Sequence, residues 1–143
     1  MVWHIYKIRV MGEPVPWTVY TRRGKPPAAF ERMQAWQEAI RGAIIGEYGR
    51  PMLDCAVSVD VVFARLLPGE APKTKAAYLR RAQAAIKRKP DVGNYLKAAE
   101  DALQDVLLCN DSQIVETHGR KIIVPFEEQV RGPWSVLTVK VLE

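Results

Sequence analysis

Leu53-Asp-Cys-Ala-Val57-Ser-Val59-Asp-Val61-Val-Phe63 is the stretch whose reading decides the fold. Val57, Val59, Val61 and Phe63 alternate with Ser58, Asp60 and Val62, the period of two that one buried face of a sheet requires. Upstream, Gly49 and Pro51 stop a segment from Phe30 to Tyr48 in which Phe30, Met33, Ala35, Trp36, Ile40, Ile44 and Ile45 recur at helical spacing. Further out, Trp3, Ile5, Tyr6, Ile8 and Val10 predict a strand over 3–10. Met11-Gly-Glu-Pro-Val-Pro-Trp17 breaks it, because two prolines this close cannot both sit in a paired strand. Thr21-Arg-Arg-Gly-Lys-Pro-Pro27 reads as a basic loop.

Downstream, a Pro/Gly loop at 67–72 precedes a second helix, capped by Thr74 and running to about Lys87, and Pro90 ends it. A third helix starts near Gly93 or Asn94 and runs to about Leu107, with Tyr95, Leu96, Ala99, Leu103 and Val106 toward the core. Cys109-Asn110-Asp111 reads as a loop, and 114–124 and 136–142 read as closing strands. The order β–α–β–α–α–β–β predicts an α+β fold, a small mixed sheet with helices packed on it. At 143 residues it forms a single domain, 1–143, and 48% hydrophobic content excludes a disordered chain. Cys55 and Cys109 show no CxxC or Cys/His spacing that would suit zinc. Both lie in apolar runs, where buried free thiols are expected. No secretion leader and no apolar stretch of about 20 residues is visible, so the expected location is the cytoplasm, with no membrane partner.

The net charge is +5, a balance that favours polyanionic partners. From Lys73 to Pro90 the chain carries Lys73, Lys75, Arg80, Arg81, Lys87, Arg88 and Lys89 and no acid. Arg22, Arg23 and Lys25 form a second cluster interleaved with Trp17 and Tyr20. Cations beside aromatics suit phosphate contact and base stacking in distorted DNA, although a solvated helix face has the same composition.

Within this basic chain one segment concentrates acid: Lys89-Pro-Asp91-Val-Gly93-Asn94-Tyr-Leu-Lys97-Ala-Ala-Glu100-Asp101-Ala-Leu, followed by Asn110-Asp111-Ser-Gln-Ile. Asn94, Lys97 and Asp101 share one helix face, which Glu100 borders. Asp91 stands before the helix, where it can cap free N–H groups. Asp111 follows the far end, so a joint site requires the fold to bring it back to Asp91. Carboxylates gathered where phosphates must come call for a divalent cation, and Mg²⁺ suits such oxygen ligands. A nearby lysine would offset charge developing on phosphate. The plainer alternative has Asp91 as a cap, Lys97 and Asp101 as a surface pair, and Asp111 as a turn residue.

The run Lys-Pro-Asp-x-x-Asn-x-x-Lys-x-x-x-Asp-Ala-Leu, then Asn-Asp-Ser-Gln-Ile-Val-Glu, resembles the signature of the RusA family of Holliday junction resolvases over roughly residues 89–121. Gly12-Glu-Pro14-Val-Pro16 is similar to that family's Gly-x-Pro-x-Pro opening. The resemblance implies a bacterial or bacteriophage-encoded endonuclease, active as a homodimer on four-way and other branched DNA, which it resolves by paired symmetric nicks. Mg²⁺ is the implied cofactor, with Mn²⁺ as a substitute. Asp91 and Asp111 match the metal-binding carboxylates and Lys97 the essential lysine. Asn94 and Asp101 match motif-helix positions with orienting or structural roles, and Arg120 and Lys121 match a basic patch that touches DNA.

Two positions depart from the family pattern. Asn110 replaces the first acid of the usual pair before Ser-Gln, and Gly93 replaces the second Asp of Asp-x-Asp. Three readings of Gly93 stay open. Glu100 supplies the missing carboxylate as a metal ligand, or the metal is held by fewer protein ligands and more water, or the protein binds junctions and cuts them poorly or not at all.

Overall fold

The computed structural model describes residues 4–20, 24 and 27–142. Its elements are β1 (Ile5–Met11), α1 (Ala28–Tyr48), β2 (Val57–Arg65), α2 (Lys75–Ile86), α3 (Val92–Leu103), β3 (Ile114–Ile123) and β4 (Trp134–Val141). The order is the one the sequence predicts, and the sheet is mixed. Its strands run β1-β4-β2-β3, antiparallel except for the parallel β2–β3 pair. Parallel neighbours need a long crossover, and α2 with α3 provides it.

β2 lies at the centre because its alternation is strongest: Val57, Val59, Val61 and Phe63 have no exposure at all. Across from them, Leu137 and Val139 of β4 and Tyr6, Ile8 and Val10 of β1 complete the buried face. α1 covers it with Met33, Trp36, Ile40 and Ile44, and α3 with Tyr95, Ala98, Ala99, Ala102 and Leu103. α2 packs separately, where Tyr78 stacks on Phe126 and donates its hydroxyl to Val124 O at 2.5 Å. The Thr74 hydroxyl caps α2 by accepting from Ala77 N, and Gly49, at φ 72°, ends α1.

Two boundaries differ notably from expectation. The central strand starts at Val57, while Leu53 makes an isolated bridge to Leu108. The third helix ends at Leu103 rather than about Leu107, and the chain turns through Asp105 at φ 69°. Val106, Leu107 and Leu108 remain buried outside the helix, since Leu107 O accepts from Leu53 N at 2.7 Å. Their hydrophobicity reports burial against the 52–53 segment, which helical spacing cannot distinguish from continued helix. Both cysteines are free, yet Cys109 is exposed and Cys55 half-buried, because Cys109 sits on the outer turn after that buried run. No helix among the described residues is long and apolar enough to cross a membrane.

Candidate active site

α3 is the spine of the site. Its small residues Ala98, Ala99 and Ala102 allow close packing inward, and Gly119 of β3 allows it from below. A Cβ on Gly119 would lie 2.5 Å from Leu96 Cδ1 and 3.0 Å from Val92 Cγ2, so the helix rests on bare backbone there. β3 runs beneath α3 in the opposite sense. Thr117 lies under Glu100, Gly119 under Leu96 and Val92, and Lys121 under Pro90. A bulge between Val57 and Ser58 leaves Val115 exposed and pairs Thr117 with Val59, which turns Thr117 toward the helix.

The N-terminal end of α3 carries Asp91, Asn94 and Lys97. Asp91 occupies the cap position, but its carboxylate accepts no helix N–H. Its backbone carbonyl takes the bonds from Asn94 N and Tyr95 N, and the side chain remains exposed and available. The N-terminal loop is pinned here, with Trp17 N donating to Asn94 O at 2.9 Å. The Lys97 ammonium lies 3.6 Å from the centre of the Trp17 ring, a cation–π contact that fixes where that charge sits. Between loop and helix is a cavity of about 550 Å³ that reaches Lys89, Asp91 and Asn94.

The C-terminal end carries Glu100 and Asp111. Glu100 is half-buried, and burial raises its pKa above the ordinary carboxylate value. A hydrogen bond from the Thr117 hydroxyl at 2.8 Å opposes that shift, and the charge of Asp111 adds to it. Asp111 opens a short 3-10 turn, Asp111–Gln113, that Asn110 caps. Asn110 Oδ1 accepts from Ser112 N at 2.8 Å, and Gln113 Oε1 accepts from Asn110 N at 2.8 Å. Gln113 Nε2 also donates to Leu53 O and Cys55 O, anchoring the turn to the strand entry. Asn110 therefore has a structural task, and the exposed carboxylate of the pair is Asp111.

The two ends do not meet. Asp91 and Glu100 are nine residues apart, ~13 Å along a helix axis. Asp111 acts electrostatically on Glu100, toward the C-terminal end of α3. Among the described residues no three His, Cys, Asp or Glu side chains stand close enough to hold a metal ion. Asp101 faces α1, where its carboxylate accepts from Gln37 Nε2 at 3.1 Å, and the same amide donates to Ala98 O. It ties the two helices together.

The basic residues divide. Lys73, Arg80, Lys87, Arg88, Lys89 and Arg120 are exposed. Lys75 pairs with Glu127, and Arg81 donates to the carbonyls of Pro68 and Glu70, which holds the preceding loop. Half-buried Lys121 donates to Arg88 O at 2.9 Å and Pro90 O at 3.1 Å, so it straps the segment before Asp91 in place. Arg22, Arg23 and Lys25 lie outside the described residues. Sequence reasoning missed Thr117 and Gln37, whose side-chain partners lie 17 to 64 residues away. No local pattern marks them.

A family model described as endodeoxyribonuclease RusA matches residues 13–126 of the chain. Among curated proteins none matches significantly.

Proposed function

Since that match covers most of its length, the chain belongs to the RusA endodeoxyribonuclease family, and from that premise we propose a Mg²⁺-dependent resolvase of four-way DNA junctions, a homodimer whose metal sites are each shared between subunits. The observation that carries the divided site is the position of the acids at opposite ends of α3. One chain offers Asp91 at one end and Glu100 with Asp111 at the other. A two-fold axis is the ordinary way for identical chains to pair, and it supplies each half-site with its complement. Two such sites account for paired nicks in a symmetric substrate.

The donor set fits the metal. Asp91, Glu100 and Asp111 offer only hard oxygen ligands, and Glu100 beside Asp111 is a repelling pair that a divalent cation relieves. Mg²⁺, or Mn²⁺ in its place, supplies water activation and charge stabilisation at the scissile phosphate. The protein's own groups do the rest. Lys97, positioned by Trp17, offsets negative charge developing on the phosphate. Asn94, one turn after Asp91, orients it or the substrate. Lys73, Arg80, Lys87, Arg88, Lys89 and Arg120 hold flanking phosphates. On this reading Glu100 takes over from the carboxylate missing at Gly93. The alternative, binding of branched DNA without cutting, rests on Gly93 leaving the Asp91 half with a single acid.

The test mixes Asp91→Asn and Asp111→Asn subunits, co-expressed and purified as heterodimers, with a synthetic four-way junction and Mg²⁺. A divided site gives each heterodimer one complete site, so single nicks return where neither parent cuts. Sites contained within one chain leave the mixture as inactive as its parents. A wild-type protein that binds junctions without nicking them in Mg²⁺ or Mn²⁺ supports the alternative.

A further inference from the structure

The cavity beside Asp91 is lined mostly by residues outside the proposed metal set. Its volume of about 550 Å³ falls within the range of small-ligand sites. Pro14, Trp17 and Ala29 give it apolar walls, and Glu13, Arg32 and Asn94 bring acceptors and donors to its margin. The walls are fixed. Trp17 is held through its backbone by Asn94 and over its ring by Lys97, and Pro14 is buried. Glu13 Oε2 accepts from Leu66 N at 3.3 Å and the carboxylate feels the charge of Arg65, which together anchor it at the rim of the cavity.

A phosphate brought to Asp91 carries a sugar and a base with it. The base is planar, apolar on its faces and polar on its edge, the same combination that this cavity offers. At a branch point stacking is already interrupted, so moving a base out of the helix is least costly there. We propose that this cavity receives one nucleobase, unstacked from the branch point next to the scissile phosphate, with its faces against the apolar walls and its edge read by Glu13 and Arg32. The carboxylate accepts and the guanidinium donates. Every base brings a donor and an acceptor on its freed Watson–Crick edge, thymine through N3–H and O4, so the pair Glu13 and Arg32 admits any of the four. The cavity thus couples the position of the cut to the unstacked branch point, without base-pair readout in a groove. This inference rests on the nuclease reading above.

The experiment places 2-aminopurine on either side of the cut phosphate, or far along one arm, in a four-way junction bound by the full chain with Ca²⁺ in place of Mg²⁺. The expected result is a fluorescence rise at one position flanking the cut and none in the arm. Ala29→Phe, which fills the cavity from the exposed start of α1, is expected to abolish the rise and weaken junction binding by about tenfold, the scale of one lost stacking contact. Its melting temperature checks that it is folded. A junction that is bound and cut with no rise at any position overturns the cavity's role and leaves the nuclease intact. So does a rise that survives in Ala29→Phe. A junction neither bound nor cut overturns both readings.

Discussion

Gly119 and Gly93 lie on the two sides of α3, and alanine at each should move stability in opposite directions. At Gly119 the added methyl would lie 2.5 Å from Leu96 Cδ1, 2.7 Å from Leu96 Cγ and 3.0 Å from Val92 Cγ2, against an optimum of about 3.5–4.0 Å between carbons. Leu96 must leave its rotamer or α3 must rise by about 1 Å, an overpacking penalty of about 1–3 kcal/mol. For a chain of this length that lowers the melting temperature by roughly 3–10 °C. At Gly93 the same methyl meets nothing within 4 Å, so alanine adds helix propensity of about 0.5–1 kcal/mol and raises the melting temperature by a few degrees. Gly119→Ala should also lower Mg²⁺-dependent nicking at temperatures where it is fully folded. Lifting α3 separates Glu100 from Thr117 and loosens the Lys121 strap before Asp91. Urea and thermal unfolding of both variants, followed by single-turnover nicking, measure all three effects. A Gly119→Ala protein as stable as the parent, alongside a Gly93→Ala protein with no gain, would refute the packing of α3 on β3.

Further outcomes follow from the same groups. Burial raises the pKa of Glu100, so the folded chain disfavours its ionised form and stability falls as pH rises from the ordinary carboxylate value of 4.5 through the raised one. Metal-free Glu100→Gln should therefore melt above the parent at pH 7, by a margin that closes as pH falls toward 4.5, and should gain less from added Mg²⁺. Thermal melts across pH, with and without Mg²⁺, check both halves. Gly93→Asp fits the open surroundings of that residue and places an acid in the first turn of α3, a favourable position by about 0.3–1 kcal/mol. It should raise nicking at limiting Mg²⁺, read as a lower Mg²⁺ midpoint. Lys97→Met keeps packing against Trp17 without the charge. Junction binding should fall little while cutting falls about 100-fold, as when one preorganised donor is removed.

The fold was legible because its signals are local. The alternation from Val57 to Phe63, the Thr74 cap and Gly49 after α1 each depend on neighbours a few residues away. The end of α3 was not, because Val106, Leu107 and Leu108 are apolar for reasons that lie in Leu53 and its surroundings. The same limit governs the site. The motif names Asp91, Lys97 and Asp111, but the distance between them depends on how α3 lies over β3. Gly119 sets that packing through a contact more than twenty residues removed from Val92 and Leu96. Lys121 shows a further limit. A cation after the Asp-Ser-Gln turn reads as a DNA contact, and only its two carbonyl partners show that it holds the chain together.

The exchange of acids along α3 becomes intelligible under the proposal of a site shared between subunits. Gly93 and Glu100 are seven residues apart, two helical turns, so within one chain a carboxylate at 100 cannot stand where one at 93 would. Glu100 instead faces Asp111, whose charge raises the cost of ionising Glu100. If the metal lies between Asp91 of one subunit and Asp111 of its copy, a ligand brought from either side reaches the same ion. Loss at 93 and gain at 100 then leave the number of acids per metal unchanged. The balance within each half does change, since the Asp111 half carries two acids and the Asp91 half one. Isolated chains then hold their repulsion at the Glu100 end, and pairing around a cation relieves it. Dimerisation is thereby linked to Mg²⁺, so the dimer dissociation constant should fall on adding Mg²⁺ and lose that response in Glu100→Gln. Sedimentation equilibrium measures both, and a constant indifferent to Mg²⁺ in the parent protein argues against a shared site.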